Sequence, residues 1–362
     1  DGGGEIVTNN AKGTQYELQH IYRHDYFDLT TGFNYLVNQQ GELKMQAITT
    51  PYFQTDNQTE HGAFYLYSDI KYFPGLLVTV GLSQDFYDYK SVPNLNIANG
   101  PKQTAELQTN PINPKFGISW MPTDNTTFRF AAFRSLKRGI IQKQTLEPTQ
   151  IAGFNQFYDD IDGSVSRRIG FGLDHKVNSK FFMGAEVSKR FLDVPYAVWE
   201  GPFYSFNKTY WDEKNARAYV NWTPNDSLSL GLNYSFDKLN RNLDYFDTLM
   251  NRSNFFTKLD THRAQIFGNF YHPSGFISKL SMTYTNQSGS FFSFKDFQLH
   301  PEDSRFWLLD TEIGYRLPNR HGLVSLGIKN LLNEKYNYQG IDMNYPEPTQ
   351  GRFFYSRLTL SF

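Results

Sequence analysis

The chain has 362 residues, 39% of them hydrophobic and 17% aromatic, with 33 Phe and 24 Tyr. Lys plus Arg number 35 against 36 Asp plus Glu, a balance that excludes a polybasic nucleic-acid binder and an acidic solvating tail. No apolar run approaches the ~18–20 residues of a membrane helix, and with Cys 0 there can be neither disulfides nor thiolate chemistry.

Residues 1–12, opening Asp1-Gly2-Gly3-Gly4, read as a linker or cut site, and 13–362 as one barrel domain. From residue 13 onward the hydrophobic period is two, the period of a strand. Strands are predicted at 13–23, 26–37, 43–53, 62–72 and 76–87, the last with Leu76, Val78, Val80 and Leu82 opposing Thr79, Gly81, Ser83 and Asp85. The pattern continues at 114–122, 126–134, 164–177, 180–190, 213–223 and 227–238, where Leu228, Leu230, Leu232, Tyr234 and Phe236 share one face. It closes with 258–272, 275–286, 306–317, 322–331 and 352–362. Each of these roughly sixteen segments approximates the ~9–11 residues with which a tilted strand crosses a bilayer.

The connections carry separate information. Tight turns with turn chemistry stand at Phe73-Pro74-Gly75, Pro122-Thr123-Asp124-Asn125, Val177-Asn178-Ser179, Pro224-Asn225-Asp226, Pro273-Ser274-Gly275 and Pro318-Asn319-Arg320. Long connections alternate with them at 88–113, 135–163, 191–212, 239–257, 287–305 and 332–351. Short turns therefore gather at one end of the sheet and long connections at the other, the asymmetry of outer-membrane barrels. Tyr72, Phe73, Trp120, Phe181, Trp222, Tyr271 and Phe276 flank the short turns, as an interfacial aromatic girdle does. The expected fold is an all-β, transmembrane, antiparallel up-and-down β-barrel of about 16 strands, with short periplasmic turns and long extracellular loops. An even strand count places both termini at the periplasmic end.

Alternation also predicts the inner face. Its charged candidates include Lys115, Arg129, Arg168, Glu186, Arg217, Arg263, Asp310, Glu312, Arg316, Lys329 and Arg357. Most are expected to pair and solvate the wall. The connection at 191–212 is unusually aromatic, with Tyr196, Trp199, Phe203, Tyr204, Tyr210 and Trp211, and Tyr245 lies in the next. These rings can pack as a lid over the pore or stack on a ligand. Catalysis is not expected. The acid–His neighbours His24-Asp25 and His300-Pro301-Glu302-Asp303 belong to no nucleophile or metal motif, so no cofactor or metal is assigned.

The segment Gly327-Ile328-Lys329-Asn330-Leu331-Leu332-Asn333-Glu334-Lys335-Tyr336, followed by a last amphipathic strand ending in Phe362, resembles the C-terminal end of TonB-dependent outer-membrane receptor barrels. Asn113 to Trp120 with Thr123-Asp124-Asn125 and Arg129 resembles a barrel hairpin of that family, and so does Leu146-Glu147-Pro148-Thr149-Gln150 with Gly153-Phe154-Asn155. The resemblance spans 113–362. It implies that Leu358, Leu360 and Phe362 form the signal read by the barrel-assembly machinery, with Arg357 where that signal often has Gly. The family's barrel has roughly 22 strands and a plugged lumen; this chain has no segment that fits a plug and about sixteen strands.

The expected function is therefore a barrel that moves a solute or polymer across the outer membrane, the membrane part of a longer protein with a periplasmic N-terminal region. Uptake of a siderophore, vitamin or glycan by a receptor whose plug is removed is the alternative, and a barrel enzyme the rival outside that class. Expected partners are outer-membrane lipid and lipopolysaccharide, the assembly machinery, a periplasmic partner and, under the receptor reading, TonB. Nucleic acid is not expected.

Overall fold

The computed structural model describes residues 5–46, 50–95, 104–139, 144–158, 160–200, 203–242, 256–293, 298–338 and 351–360. The strands in chain order are β1 (Glu5–Arg23), β2 (Phe27–Gln46), β3 (Thr50–Ile70), β4 (Leu76–Leu95), β5 (Ala105–Thr109), β6 (Ile112–Thr123), β7 (Thr126–Leu136), β8 (Gln150–Ile151) and β9 (Phe154–Asn155). They continue as β10 (Val165–Asn178), β11 (Phe181–Glu200), β12 (Phe203–Asn225), β13 (Leu228–Arg241), β14 (Phe256–Tyr271), β15 (Phe276–Ser293), β16 (Gln298–Arg316), β17 (Gly322–Lys329) and β18 (Phe353–Leu360).

All but β8 and β9 form one 16-stranded antiparallel sheet, in sequence order from β1 to β18, with β5 branching off against β4. Each strand pairs with the next across a reversal, the up-and-down order expected. One face carries the irregular connection between β7 and β10; we call it the inner face. The other is a continuous apolar surface, with Leu66, Leu82, Phe171, Val187, Ile266, Leu280 and Leu326 all exposed. A water-soluble fold would bury such rows, whereas lipid accommodates them. At the tight-turn end Tyr72, Phe73, Trp120 and Trp222 are also exposed, as a girdle requires. Gly75 (φ 72) and Gly275 (φ 97) take the left-handed conformation that two of these turns demand.

Several expectations change. The segment 43–53 is not a strand of its own: β2 and β3 are long, and it straddles the reversal between them. Residues 5–12 are already strand, not linker. The connections at 191–212 and 287–305 are mostly strand, because β11 and β12 pair as far as Glu200 opposite Phe203 and β15 and β16 as far as Ser293 opposite Gln298. Backbone pairing continues wherever the next strand does, whether or not its side chains still alternate between lipid and water.

The sheet path from β1 to β18, leaving out the side branch β5, holds an odd number of strands. The chain therefore starts at the long-connection end and finishes at the tight-turn end, so the expectation of both termini at the periplasmic end is not met. Nor does the sheet close on itself: among the described residues β1 and β18 are not paired with each other. In hydrocarbon such edges must be paired, so the lumen is sealed only when further strands bridge β18 to β1.

Candidate lumenal site

The strongest packing in the molecule is not in the strands alone. The connection between β7 and β10 folds back onto the inner face. There the two-residue hairpin β8–β9 turns through Ala152 (φ 46) and Gly153 (φ 83). Ile151 and Phe154, each 1% exposed, pack against Tyr65, Tyr67, Ala131 and Phe133 of β3 and β7. The wall is cut to receive them. A Cβ on Gly117 would stand 2.6 Å from Ile151 Cγ2, and one on Gly170 would stand 2.4 Å from the Phe154 ring. Both positions face the insert, and its side chains are the reason they carry none of their own.

Polar groups fasten the same insert. Glu147 accepts hydrogen bonds from Tyr67 Oη (2.7 Å) and Arg138 Nη2 (2.6 Å), with all three residues buried. Arg138 also lies 3.7 Å from Asp85, which accepts from Asn113 Nδ2 and pairs with His61 Nε2 at 2.8 Å. Burial alone would push the Arg138 guanidinium down, but Glu147 and Asp85 outweigh it and hold it above its ordinary range. The Ser135 hydroxyl donates to the Gln156 carbonyl at 2.9 Å, and the Gln156 side-chain amide donates to Pro148 O at 2.7 Å. From the opposite flank, β1 reaches across: Glu17 accepts from Thr145 Oγ1 (2.9 Å) and from the Leu146 N–H, while the Gln19 amide donates to Leu146 O. The insert thus ties β1 to β3, β4, β6, β7 and β10.

Below it runs a ladder of charge. Arg129 donates to Asp174 (2.9 Å) and Glu186 (3.3 Å), and Arg168 to Ser188 (2.8 Å) and the Asn155 carbonyl (3.1 Å). Arg190 joins Glu213 (2.7 Å) and Asp160, with its guanidinium 3.9 Å from the Tyr158 ring. Lys115 is 3% exposed and donates to the Arg134 carbonyl.

Alternation and register place every charged candidate on the inner face, though in two settings. Lys115, Arg129, Arg168 and Glu186 contact the insert or lie beside it. Arg217 stands opposite Glu186 and Ser235. Further round, Glu312 accepts from Lys279 and from Tyr355 Oη, both at 2.8 Å, and Asp310 accepts from the Asn330 N–H. Arg316, Lys329 and Arg357 stand opposite Leu323, Phe353 and Ser325. Here, among the described residues, the strand face is covered by the connection after β17. A cavity of about 270 Å³ opens between Arg263, Thr285, Phe306, Asp310, Tyr336 and Tyr338. Arg263 donates to Tyr338 Oη at 3.1 Å, and Tyr336 stacks on Phe306 at 4.4 Å.

The aromatic lid candidates divide. Trp211 and Tyr196 pack into an inner cluster with Leu192, Val194, Leu239, Leu259 and Ile161, and Arg241 lies 4.1 Å over the Trp211 ring. Tyr210 points outward and is 59% exposed. Trp199, Phe203 and Tyr204 belong to the ends of β11 and β12, so they sit on a hairpin and not on a lid loop. Tyr245 lies outside the described residues, as does Phe362; Leu358 and Leu360 are exposed on β18. Of the buried fasteners, Arg138 and Gln156 were not singled out from sequence, and Glu147 only within the family-like segment Leu146 to Gln150, which folds as part of the insert and not as a wall hairpin. They occupy irregular chain, where no period marks a side chain as buried.

Residues 2–159 match the family model described as TonB dependent receptor-like, beta-barrel. Solved structures agree over nearly the whole chain. The ferric citrate transporter FecA in its unliganded form aligns with TM-score 0.68 and 14% identity, covering 99% of this chain and 55% of that one. The ferric-catecholate import receptor Fiu from K12 E. coli gives 0.65 and 14%, covering 97% and 54%. The copper transporter OprC gives 0.65 and 13%, covering 98% and 57%. The fold is that of the TonB-dependent receptor barrel. The chain spans about half the length of these receptors, and no curated protein matches it in sequence. The C-terminal motif residues, Gly327 to Tyr336, lie beyond the matched stretch and within the structural alignment.

Proposed function

We propose that this chain is the greater part of the wall of an outer-membrane uptake barrel of the TonB-dependent receptor type, and that its own β7–β10 connection acts as an internal stopper. The observation that carries the reading is the pairing of two faces. An apolar outer surface suits lipid, while the inner surface is charged and blocked on one side by a buried, ion-paired insert. The relatives transport ferric chelates and copper, so a metal chelate or another small polar solute is the cargo class favoured here. It would meet the open wall around Arg263, Asp310, Tyr336 and Tyr338 first. The wall is thus assigned to transport and not to catalysis. The long connections face outside and the tight turns the periplasm.

The test is planar-bilayer conductance of the full-length protein purified in detergent. Unmodified protein should be closed or nearly so, and removal of residues 144–158 should open a stable pore. Equal conductance with and without the insert would overturn the stopper. A protein that stays monodisperse without detergent would overturn the barrel itself.

A further inference from the structure

On the inner wall the strand registers set one row of directly opposed residues. It runs through Glu186 on β11, Arg217 on β12, Ser235 on β13, Arg263 on β14, Thr285 on β15 and Phe306 on β16. Arg217 and Arg263 are therefore two strand spacings apart, about 10 Å between backbones. Only the small, half-buried Ser235 stands between them. Both arginines are exposed, and side chains on the inward face of a barrel wall converge on the lumen.

The acids that could neutralise this pair are engaged elsewhere. Glu186 lies 3.3 Å from Arg129 and 3.8 Å from Arg168. Asp174 accepts from Arg129 Nε and from Tyr219 Oη, both at 2.9 Å, and Asp237 accepts from Asn215 Nδ2 at 2.6 Å. Among the described residues neither Arg217 nor Arg263 forms an ion pair; Arg263 donates to Tyr338 Oη at 3.1 Å. Where the insert lies against the wall, by contrast, Arg129, Arg138 and Arg190 each reach a carboxylate. Two guanidiniums left without an acid attract an anion from the lumen. What lies beside them narrows its identity. The 270 Å³ cavity starts at Arg263 and extends to Phe306, Tyr336 and Tyr338, so a flat body can enter against rings. Asp310 also lines it and repels a second anionic group there, while accepting from an amino group. The ligand thus carries its negative charge at one end and an uncharged planar ring at the other.

We propose that Arg217 and Arg263, flanking Ser235, clamp the phosphate of a phosphate monoester whose planar ring enters the cavity beside Phe306 and Tyr336, a nucleoside monophosphate being the simplest such solute. A lone carboxylate occupies one guanidinium fork, whereas a phosphate monoester, with three terminal oxygens and nearly two charges, engages two forks from opposite sides. The Ser235 hydroxyl donates to the oxygen between them. This names the cargo class of the open wall and rests on the uptake reading above.

Full-length protein in non-ionic detergent is titrated calorimetrically with adenosine monophosphate. Arg217→Gln and Arg263→Gln should each weaken binding about tenfold or more, and Lys at either position should recover part of the loss, keeping the charge without the fork. Arg316→Gln, on the same face but outside the row, should leave affinity unchanged. Adenosine and inorganic phosphate, each lacking one half of the ligand, should bind about tenfold more weakly. Ser235→Glu sets a carboxylate between the forks and should abolish binding, a second reading should a Gln variant not fold, with folding scored by heat-modifiable migration. Wild-type affinity in a folded double Gln variant overturns the clamp. So does adenosine bound as tightly as its monophosphate, and citrate bound as tightly overturns the assignment to phosphate esters. Failure of the uptake reading is distinct: the titration in detergent would stand while no solute crossed the membrane.

Discussion

Between β1 and β11 the inner face of the sheet is covered by the chain's own insert, whose Ile161 also packs on the Trp211, Leu239 and Leu259 cluster of β12–β14, whereas from Arg263 of β14 to β18 the same face carries, among the described residues, little but the connection after β17. Both halves are built from alternating strands with charged inner positions, yet they use those positions differently. In the covered half Gly170 is small so that a ring from the insert, Phe154, can enter; in the open half Gly327 lies under Tyr355, a ring from its own sheet neighbour. Arg138 in the covered half is 3% exposed and held between two carboxylates, while the Lys279 and Glu312 side chains of the open half are 42% and 12% exposed. Burial converts an ordinary charge pair into a fastener, because removing one partner strands the other without water.

That contrast can be broken at its strongest point first. Arg138→Ala leaves Glu147 buried without its cation and Asp85 to His61 and Asn113, and should cost about 3–5 kcal/mol, measured by denaturant unfolding in detergent. Arg263→Ala in the open half should cost no more than about 1 kcal/mol in the same assay. Next, the two faces of one strand should respond oppositely. Ile266→Arg on the outer face should cost about 2–4 kcal/mol of membrane stability, and Gln265→Arg beside it on the inner face close to nothing. A smaller effect is expected at the wall beneath the insert. Gly170→Ala should cost about 1–3 kcal/mol by overpacking and raise basal conductance, since displacing Phe154 loosens the stopper while the sheet stays intact. The mildest is Lys279→Ala, about 1 kcal/mol or less because water screens the pair, visible as a change in ion selectivity with unchanged unfolding. Parity of Arg138→Ala and Arg263→Ala would show that the insert fastens nothing.

The period of two determined the strands, their faces and the tight turns, because a strand between lipid and water must alternate and each register is local to its hairpin. Leu228 to Phe236 could be assigned outward, and Arg129 or Glu312 inward, from the residues alone. Strand ends were not legible: Tyr196 and Trp211 read as loop because above the bilayer no solvent contrast enforces alternation, although backbone pairing continues. The parity of the strand count turned on the short stretch 43–53, where β2 gives way to β3, and with it the side on which the chain starts. Only tertiary structure decided that Arg138, Glu147 and Asp85 meet, since they come from an irregular connection and a distant strand. Only the assembled registers decided that Arg217 and Arg263 stand in one row across Ser235. Periodicity reports which side of a strand a residue faces; what it faces there depends on contacts between residues far apart in the chain.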